Sequence, residues 1–299
     1  MLISIVIPTH NRHDYLKQCV FSIMDSISSG HICEIIVVDD GSCRAIDEQN
    51  KIFCSTCGIN YLHVNKPEGA ATARNYGIRK SSGEWIVFLD DDVVVEKEWF
   101  GKVSAIVRSL RNSSIVGVEG KVEPSGDGLW DREVQNLSGG KYLTSHMIYK
   151  KSMLERIGGF DESFKFPMAE DHELAVRAGN VGKLVFYPDL KVVHLPRNID
   201  PFRILFKAPG RMIALLKSEY YFYSKHPGAY GKYRHSPTFK GTYNSILFKY
   251  AIISLKRRSF SQLLRRPLQI PVLLAQAVIG QITAWLLMPG ILLSKKADG

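Results

Sequence analysis

Acidic side chains are scarce in the last third of this sequence. Residues 199–299 contain 3 Asp and Glu against 16 Lys and Arg, whereas residues 1–198 contain 26 against 23. Such asymmetry is typical of a region that contacts an anionic partner, either nucleic acid or a lipid surface. The chain also lacks zinc-finger, homeodomain and RNP signatures, which argues against nucleic acid. We therefore expect the basic region to meet a membrane surface.

Cysteine is confined to the first 57 residues, and its count of 5 is odd. No signal peptide precedes the first apolar run, so we expect free thiols in a reducing, cytosolic setting. Cys54 and Cys57 have the spacing of half a zinc site. Because no second pair follows at ligand spacing, a zinc site is not the favoured interpretation.

Formal charge is absent from residues 267–294, and pairs of basic residues flank this run. About 20 apolar residues span a bilayer, but the glutamines and prolines here favour a helix that lies in the membrane plane or re-enters it. We expect residues 199–299 to form a basic helical extension that associates with the cytoplasmic face of the cell membrane. An exposed apolar surface over the same run would alternatively pair protomers into a homo-oligomer.

The first part of the chain alternates short apolar runs with stretches of helical periodicity. The apolar runs lie at 2–7, 34–38, 59–64 and 85–89, and the helical stretches include 13–27 and 70–80. Strands alternating with helices predict an α/β fold with a mainly parallel sheet. A more mixed block follows over residues 115–194.

Three consecutive carboxylates, Asp90, Asp91 and Asp92, follow the fourth apolar run. On an extended strand alternate side chains share a face, so we expect Asp90 and Asp92 to project together and Asp91 to point away. Two carboxylates at the carboxyl end of a buried strand suit Mg²⁺ or Mn²⁺, and such an ion usually also binds a substrate phosphate.

The other predicted strands also end in polar or glycine residues on the same sheet edge. Asp39 can accept a hydrogen bond from a nucleobase, and Arg12 or Arg74 can meet phosphate. Gly69 would let the backbone approach a ligand closely. For Thr9, which follows Pro8 at the end of the first strand, a capping or loop role is the favoured interpretation of the residue taken singly.

A second acidic pair, Glu170 and Asp171, lies where a helix is predicted to begin. Amide dipoles at a helix start favour ionised carboxylates. An ionised carboxylate at the mouth of a site is a candidate general base for a hydroxyl group. Ordinary helix-start decoration is the alternative interpretation.

Taken together, residues 2–194 resemble the family-2 glycosyltransferases, which have the α/β, Rossmann-like GT-A fold. The motifs that carry the resemblance follow one another in the family's order: Ser4–Arg12, Val37–Ser42, Gly69–Asn75, Phe88–Asp92, Gly158–Glu162 and Glu170-Asp171. The resemblance implies an inverting transferase that uses Mg²⁺ or Mn²⁺ and a nucleotide-diphosphate sugar, with a UDP-sugar as the expected donor. The expected acceptor is a saccharide or a lipid-linked saccharide.

The resemblance also assigns roles to individual residues. Asp39 would recognise the base, Asp90 the ribose and the metal, and Asp92 would lie closest to the ion. Asp171 would be the catalytic base, with Glu170 shaping the acceptor site. The remaining assignments are donor contacts by Pro8, Thr9, Arg12, Gly69, Arg74 and Asp91, and a further metal or phosphate ligand at His194.

The implied organisation is a catalytic domain over 1–198, with a nucleotide-binding half over 1–115 and an acceptor-binding half over 116–198. Two other functions fit parts of the sequence. A haloacid-dehalogenase-type phosphatase also has an apolar strand followed by Asp-x-Asp-x-Val, but its further motifs are not found in order. A catalytically inert membrane scaffold is disfavoured because Asp39, Asp90, Asp92 and Asp171 occur together.

Overall fold

The computed structural model describes residues 2–27, 33–125, 134–164, 169–196, 210, 213–214 and 217–229. The chain divides into two compact units, one of residues 1–126 and 133–196 and the other of residues 127–132 and 197–299. In the second unit, the described residues 217–225 and 227–229 are helical. Most of the predicted membrane-associating extension, including the uncharged run at 267–294, lies outside the described residues. None of the described helices has the length and hydrophobicity needed to cross a bilayer.

The first unit contains eight strands and six helices among its described residues. In chain order they are β1 (Ile3–Thr9), α1 (His13–Ser26), β2 (Cys33–Asp39), α2 (Arg44–Thr56), β3 (Asn60–His63), α3 (Ala70–Lys80), β4 (Trp85–Leu89), β5 (Val93–Val95), α4 (Trp99–Ser109), β6 (Ile115–Pro124), β7 (His146–Lys150), α5 (Lys151–Ile157), α6 (Glu170–Gly179) and β8 (Lys183–His194). The predicted strands and helices of the first 90 residues are all present. Helix α2, which buries Asn50 and Cys54, was not predicted.

All eight strands join one sheet in the order β3-β2-β1-β4-β7-β6-β8-β5. The strands β3, β2, β1 and β4 are parallel, so their carboxyl ends meet at one edge. Strand β7 then runs antiparallel to both β4 and β6, which makes the sheet mixed beyond β4. The α/β class is confirmed, and the parallel arrangement predicted for the sheet holds for its first half.

Strand β4, which precedes Asp90, Asp91 and Asp92, is fixed in place by packing on both of its faces. Its side chains alternate between two apolar clusters, with Trp85, Val87 and Leu89 on one face and Ile86 and Phe88 on the other. All five side chains are buried. A strand buried on both faces cannot shift without exposing one set, so it places whatever follows Leu89 at a defined point.

His146 is a buried histidine on β7 that takes part in no predicted site. The Trp99 indole Nε1 donates to His146 Nε2 at 3.0 Å, and His146 Nδ1 lies 3.1 Å from the Lys121 carbonyl oxygen. Glycine at position 120 makes room for the ring, since a Cβ there would lie 2.2 Å from ring atoms. Burial lowers the pKa of His146 to about 4.

We expect His146 to make the free energy of unfolding depend on pH. The unfolded chain binds a proton at this histidine below about pH 6.5, whereas the folded chain does so only near pH 4. Stability is therefore present above pH 6.5 and falls as the pH drops. Between pH 6.5 and 5 the loss is about 2 kcal/mol. Urea unfolding at both pH values should show this extra loss in the wild type relative to His146→Gln, and equal losses would contradict it.

Candidate active site

The three aspartates after β4 occupy a turn and do not continue the strand. Strand β4 ends at Leu89, and the Val93 amide donates back to the Asp90 carbonyl oxygen at 3.3 Å. Arg12 pairs with both of the following carboxylates, Nη2 with Asp91 at 2.9 Å and Nη1 with Asp92 at 3.1 Å. The prediction that Asp91 points away from Asp92 is therefore wrong, because alternation of side chains requires extended backbone.

Asp91 links the turn to the end of β1. Its side chain has no exposed surface, and Thr9 Oγ1 donates to Asp91 Oδ2 at 2.7 Å. Burial raises the pKa of Asp91 to about 7, while the Arg12 charge opposes that rise. Pro8 and Thr9 are likewise buried within β1. These contacts give Thr9 and Asp91 a structural role, and direct contact of either with a donor stays a prediction.

His194 lies beside Asp92, as the sequence predicted, although the two residues are far apart in the chain. Strand β5 pairs with β8 so that Val93 is opposite His194, and the Leu195 amide donates to the Asp92 carbonyl oxygen at 2.7 Å. His194 Nε2 is 3.4 Å from Asp92 Oδ1. Nδ1 lies 3.0 Å from the Leu195 carbonyl oxygen and donates to it, so Nε2 is the ring nitrogen that faces Asp92.

This arrangement fits a divalent cation. Among the described residues, His194 Nε2 has no hydrogen-bond partner although it is buried. A neutral imidazole nitrogen whose other nitrogen donates to a carbonyl is a common metal ligand, and Asp92 supplies an adjacent carboxylate oxygen. The residues present therefore suit a cation held by Asp92 and His194.

The predicted three-residue metal set is not assembled as expected. Within the described part of the chain, the three residues whose ligand atoms lie within 4.8 Å of one another are Asp39, Asp47 and His63. The ligand atoms of Asp90, Asp92 and His194 do not all lie within that distance, and Asp90 pairs with Arg74, so metal binding by Asp90 stays a prediction.

Arg74 on α3 bridges two separate parts of the site. Its Nη2 donates to Asp90 Oδ1 at 2.9 Å, and its Nη1 donates to Glu170 Oε1 at 3.1 Å. The side chains of Arg74 and Glu170 are each only 4% exposed. Burial, and then the neighbouring Asp171 charge, raises the pKa of Glu170 to about 7. A guanidinium between two carboxylates fixes the distance between the aspartate turn and α6.

Asp171 is the next residue of α6 and is more accessible than Glu170. Its side chain is 15% exposed, and its Oδ1 accepts from the His172 amide at 2.8 Å. The same oxygen lies 2.9 Å from His172 Nδ1. The helix begins after Ala169, which has a φ of 74° and so turns the chain sharply into the first helical turn. The acidic pair is thus divided, with Glu170 buried against Arg74 and Asp171 at the surface of the site.

Asn75, which the sequence analysis did not single out, clamps the turn before α6. Its Oδ1 accepts from the Phe160 amide and its Nδ2 donates to the Phe160 carbonyl oxygen, both at 2.8 Å. Gly159 has a φ of 67°, and a Cβ there would lie 2.4 Å from Asn75 Oδ1. Glycine is therefore required on both steric and conformational grounds. This clamp keeps α3, and with it Arg74, against the chain that leads to Glu170.

Asp39 and its neighbour Asp40 hold the two loops that follow β2 and β3. Asp39 has no exposed surface, and it accepts from the Ser42 amide at 2.7 Å and from Asn50 Nδ2 at 2.8 Å. Asp40 accepts from the amides of Glu68 at 2.8 Å and Gly69 at 2.9 Å. Asp39, the predicted base-recognising residue, thus accepts hydrogen bonds from two groups of the protein. Asp40, which sequence reasoning missed, fixes the backbone at Glu68 and Gly69.

Tyr61 links Asp39 and Asp47 by its hydroxyl group, and His63 lies beside them. The Tyr61 hydroxyl lies 2.9 Å from Asp39 Oδ2 and 2.7 Å from Asp47 Oδ1. His63 Nδ1 is 3.0 Å from Asp47 Oδ1. Tyr61 has one hydroxyl proton for the two carboxylates, and His63 Nδ1, although buried, has no hydrogen-bond partner among the described residues. Hydrogen bonds therefore account for the contact of Asp39 with Asp47 through Tyr61 and not for the position of His63.

Comparison with protein families places the chain in a known group. The model of Glycosyl transferase family 2 matches residues 4–160, which is just over half of the chain. A relative from Haemophilus influenzae, called an uncharacterized glycosyltransferase, is 29% identical over 188 residues, or 59% of this chain and 61% of the relative. The chain therefore spans less than two thirds of that relative's length.

Two solved structures share the fold at low sequence identity. Residues 1–349 of S. aureus TarS in complex with UDP-GlcNAc align at a TM-score of 0.55 and 16% identity, over 97% of this chain and 92% of that one. The mannosyltransferase PcManGT from Pyrobaculum calidifontis, in complex with GDP-Man and Mn²⁺, aligns at a TM-score of 0.56 and 17% identity, over 93% and 86%. These likenesses confirm the GT-A fold predicted for the first unit.

Proposed function

Because this chain belongs to glycosyl transferase family 2, we propose that it is an inverting glycosyltransferase that moves a sugar from a nucleotide-diphosphate sugar to an acceptor hydroxyl. The observation that carries the proposal is the pair of ion pairs that the buried Arg74 makes with the partly exposed Asp90 and the buried Glu170. It joins the carboxylates at the end of β4 to the first turn of α6. The candidate general base Asp171 is thereby held at a set distance from the candidate donor site.

The donor side is the edge where β1, β2 and β4 end. Asp92 and His194 would hold Mg²⁺ or Mn²⁺, and a bound ion would neutralise charge on the diphosphate leaving group. Arg12 holds Asp91 and Asp92 in place through its two ion pairs. The UDP-GlcNAc in the TarS structure and the GDP-Man and Mn²⁺ in the mannosyltransferase structure support a nucleotide-sugar donor and a metal. We expect a UDP-sugar as the donor.

The acceptor side is the first turn of α6. Asp171 would take the proton from an acceptor hydroxyl as that oxygen forms a bond to the anomeric carbon. The bond from the anomeric carbon to the diphosphate oxygen breaks on the opposite face, and the electron pair leaves with the diphosphate. A single displacement inverts the carbon without a covalent enzyme intermediate. Glu170, neutralised by Arg74, supports the position of Asp171.

The basic part of the sequence supports a proposal for the acceptor and for the place where the enzyme works. Residues 199–299 carry 16 Lys and Arg against 3 Asp and Glu, a balance suited to anionic lipid. We propose that the enzyme works at the cytoplasmic face of the cell membrane on a saccharide or lipid-linked saccharide, as in the assembly of a surface polysaccharide. Pairing of two protomers through the same region is the alternative use of its apolar run.

A donor screen tests the proposal directly. Purified protein is titrated by calorimetry with UDP-, GDP-, dTDP- and CMP-sugars, with Mn²⁺ and with EDTA, and donor hydrolysis is followed in parallel. We expect one donor class, the UDP-sugars, to bind with a dependence on Mn²⁺ and to be hydrolysed slowly. Folded protein that binds no donor would contradict the proposal. Turnover of p-nitrophenyl phosphate instead would favour the phosphatase alternative.

A further inference from the structure

Glu119 on β6 is a buried carboxylate surrounded by N–H donors. It is 1% exposed. Its Oε1 accepts from Asn136 Nδ2 at 2.7 Å and from the Lys141 amide at 2.9 Å, and its Oε2 accepts from the Gly140 amide at 2.7 Å. The Tyr142 amide donates to Oε1 as well. Four donors offset the cost of burying the charge, as hydrogen bonds to ionised groups are the strong ones.

The segment that supplies these donors, residues 136–142, is shaped to surround the carboxylate; we call it the Glu119 loop. Gly139, Gly140 and Tyr142 have φ values of 77°, 82° and 50°. Left-handed residues close together turn successive amides inward, which makes a concave site for an anion. Gly139 also packs on Phe186, where a Cβ would lie 2.6 Å from the ring. The loop therefore takes this form around Glu119 and has little freedom to adopt another.

The Glu119 loop lies on the same side of the sheet as α6, the helix that carries Asp171. Tyr142 packs against the apolar cluster that contains Tyr149 of β7 and Leu174 of α6. Tyr149 is fully buried, and its hydroxyl has no hydrogen-bond partner among the described residues. Burial, followed by the charges of Asp171 and Glu119, raises the pKa of Tyr149. Tyr142, Tyr149 and Leu174 belong to one packed cluster, which joins the Glu119 loop to the helix that carries Asp171.

We propose that Glu119 is a positioning residue for the acceptor, because it holds the Glu119 loop as one wall of the acceptor site beside Asp171. This inference rests on the proposed transferase function and concerns its acceptor. The loop contributes the partly exposed Tyr142, which packs on the apolar cluster, and the exposed Lys141, whose Nζ donates to the Gln135 carbonyl oxygen at 2.6 Å. An aromatic face next to a hydrogen-bonding rim suits a saccharide.

The role requires a carboxylate and not only a side chain of that size. In Glu119→Gln one oxygen becomes an NH₂ group, which faces amide donors and cannot accept from them. We expect the amides of Gly140, Lys141 and Tyr142 to exchange hydrogen about tenfold faster or more in this variant. The matched control is Glu123→Gln on the same strand, since Glu123 is partly exposed and pairs with Lys121.

The functional readout compares two fates of the same donor. Hydrolysis uses water, whereas transfer uses an octyl glycoside chosen from a panel of octyl glucoside, galactoside and N-acetylglucosaminide. We expect Glu119→Gln to keep UDP affinity and donor hydrolysis within about twofold and to raise the KM for the glycoside about tenfold or more. Glu123→Gln should leave all three unchanged.

Each result has a distinct meaning. Unchanged amide exchange in Glu119→Gln, or loss of hydrolysis in parallel with transfer, would overturn the acceptor role of Glu119. A wild-type protein that binds no donor would instead overturn the proposed function. If Glu119→Gln does not fold, Gly140→Ala provides the same test, because it strains the left-handed backbone at a position where a Cβ meets nothing within 4 Å. Unchanged glycoside KM in a Gly140→Ala protein with faster loop exchange would overturn the inference.

Discussion

Asp171→Asn is expected to reduce sugar transfer by about 100-fold to 10,000-fold while donor binding stays unchanged. Asparagine has the size of aspartate but cannot take a proton from an acceptor hydroxyl. The neighbouring Arg74 donates to Glu170 and to Asp90, and neither hydrogen bond uses the Asp171 side chain. The nucleotide side of the site should therefore keep its shape.

The measurement pairs transfer kinetics with calorimetric titration of UDP in the presence of Mn²⁺. Asp189→Asn is the matched control, since it makes the same chemical change at an exposed position on β8. Loss of nucleotide binding together with transfer in Asp171→Asn would show that the residue supports the donor site and is not the base. Full activity in this variant would remove Asp171 from the mechanism.

Asp92→Ala is expected to weaken Mn²⁺-dependent UDP binding by about 100-fold, equivalent to about 3 kcal/mol. The carboxylate lies beside His194 Nε2 and has no exposed surface, so no other side chain can easily take its place. UDP binding in EDTA should change much less, since that binding does not use the ion. We therefore expect the UDP affinity of Asp92→Ala in Mn²⁺ to approach its UDP affinity in EDTA.

Calorimetry with UDP in Mn²⁺ and in EDTA gives this difference for each variant. Asp92→Asn keeps the size of the side chain and guards against a packing defect, because Arg12 remains paired with Asp91 in both variants. Asp25→Ala on α1 is the control, as Asp25 is exposed. A dependence on Mn²⁺ that survives in both Asp92 variants would place the ion elsewhere.

Much of the donor side was predictable from the sequence because the signals are local. Apolar runs predicted β1, β2, β3 and β4, and parallel strands bring their carboxyl ends to one edge. The grouping of Asp39, Asp90 and Asp92 at that edge follows from strand order alone. The directions of the individual side chains do not follow from strand order. The chain turns after Leu89, whereas alternation of side chains requires extended backbone.

The two arginines show what the sequence does not reveal, namely their partners within the protein. Arg12 and Arg74 were interpreted as donor contacts, since a cation near a sheet edge suits phosphate. In the structure each is held by two carboxylates of the protein. Their partners lie up to 96 residues away in the chain, and no local pattern announces such a pair. Burial, which makes these pairs necessary, is itself a property of the folded chain.

By itself, the sequence determined the α/β class, the family resemblance, the acidic edge and the basic last third, because each depends on periodicity, motif order or composition. The tertiary structure alone decided which charges neutralise one another and which loops they hold. Asn75 on Phe160, Arg74 on Glu170 and Glu119 on residues 136–142 are contacts between distant segments. A buried polar group must find partners wherever the packing brings them, so these partners became visible only once the strands and helices were placed.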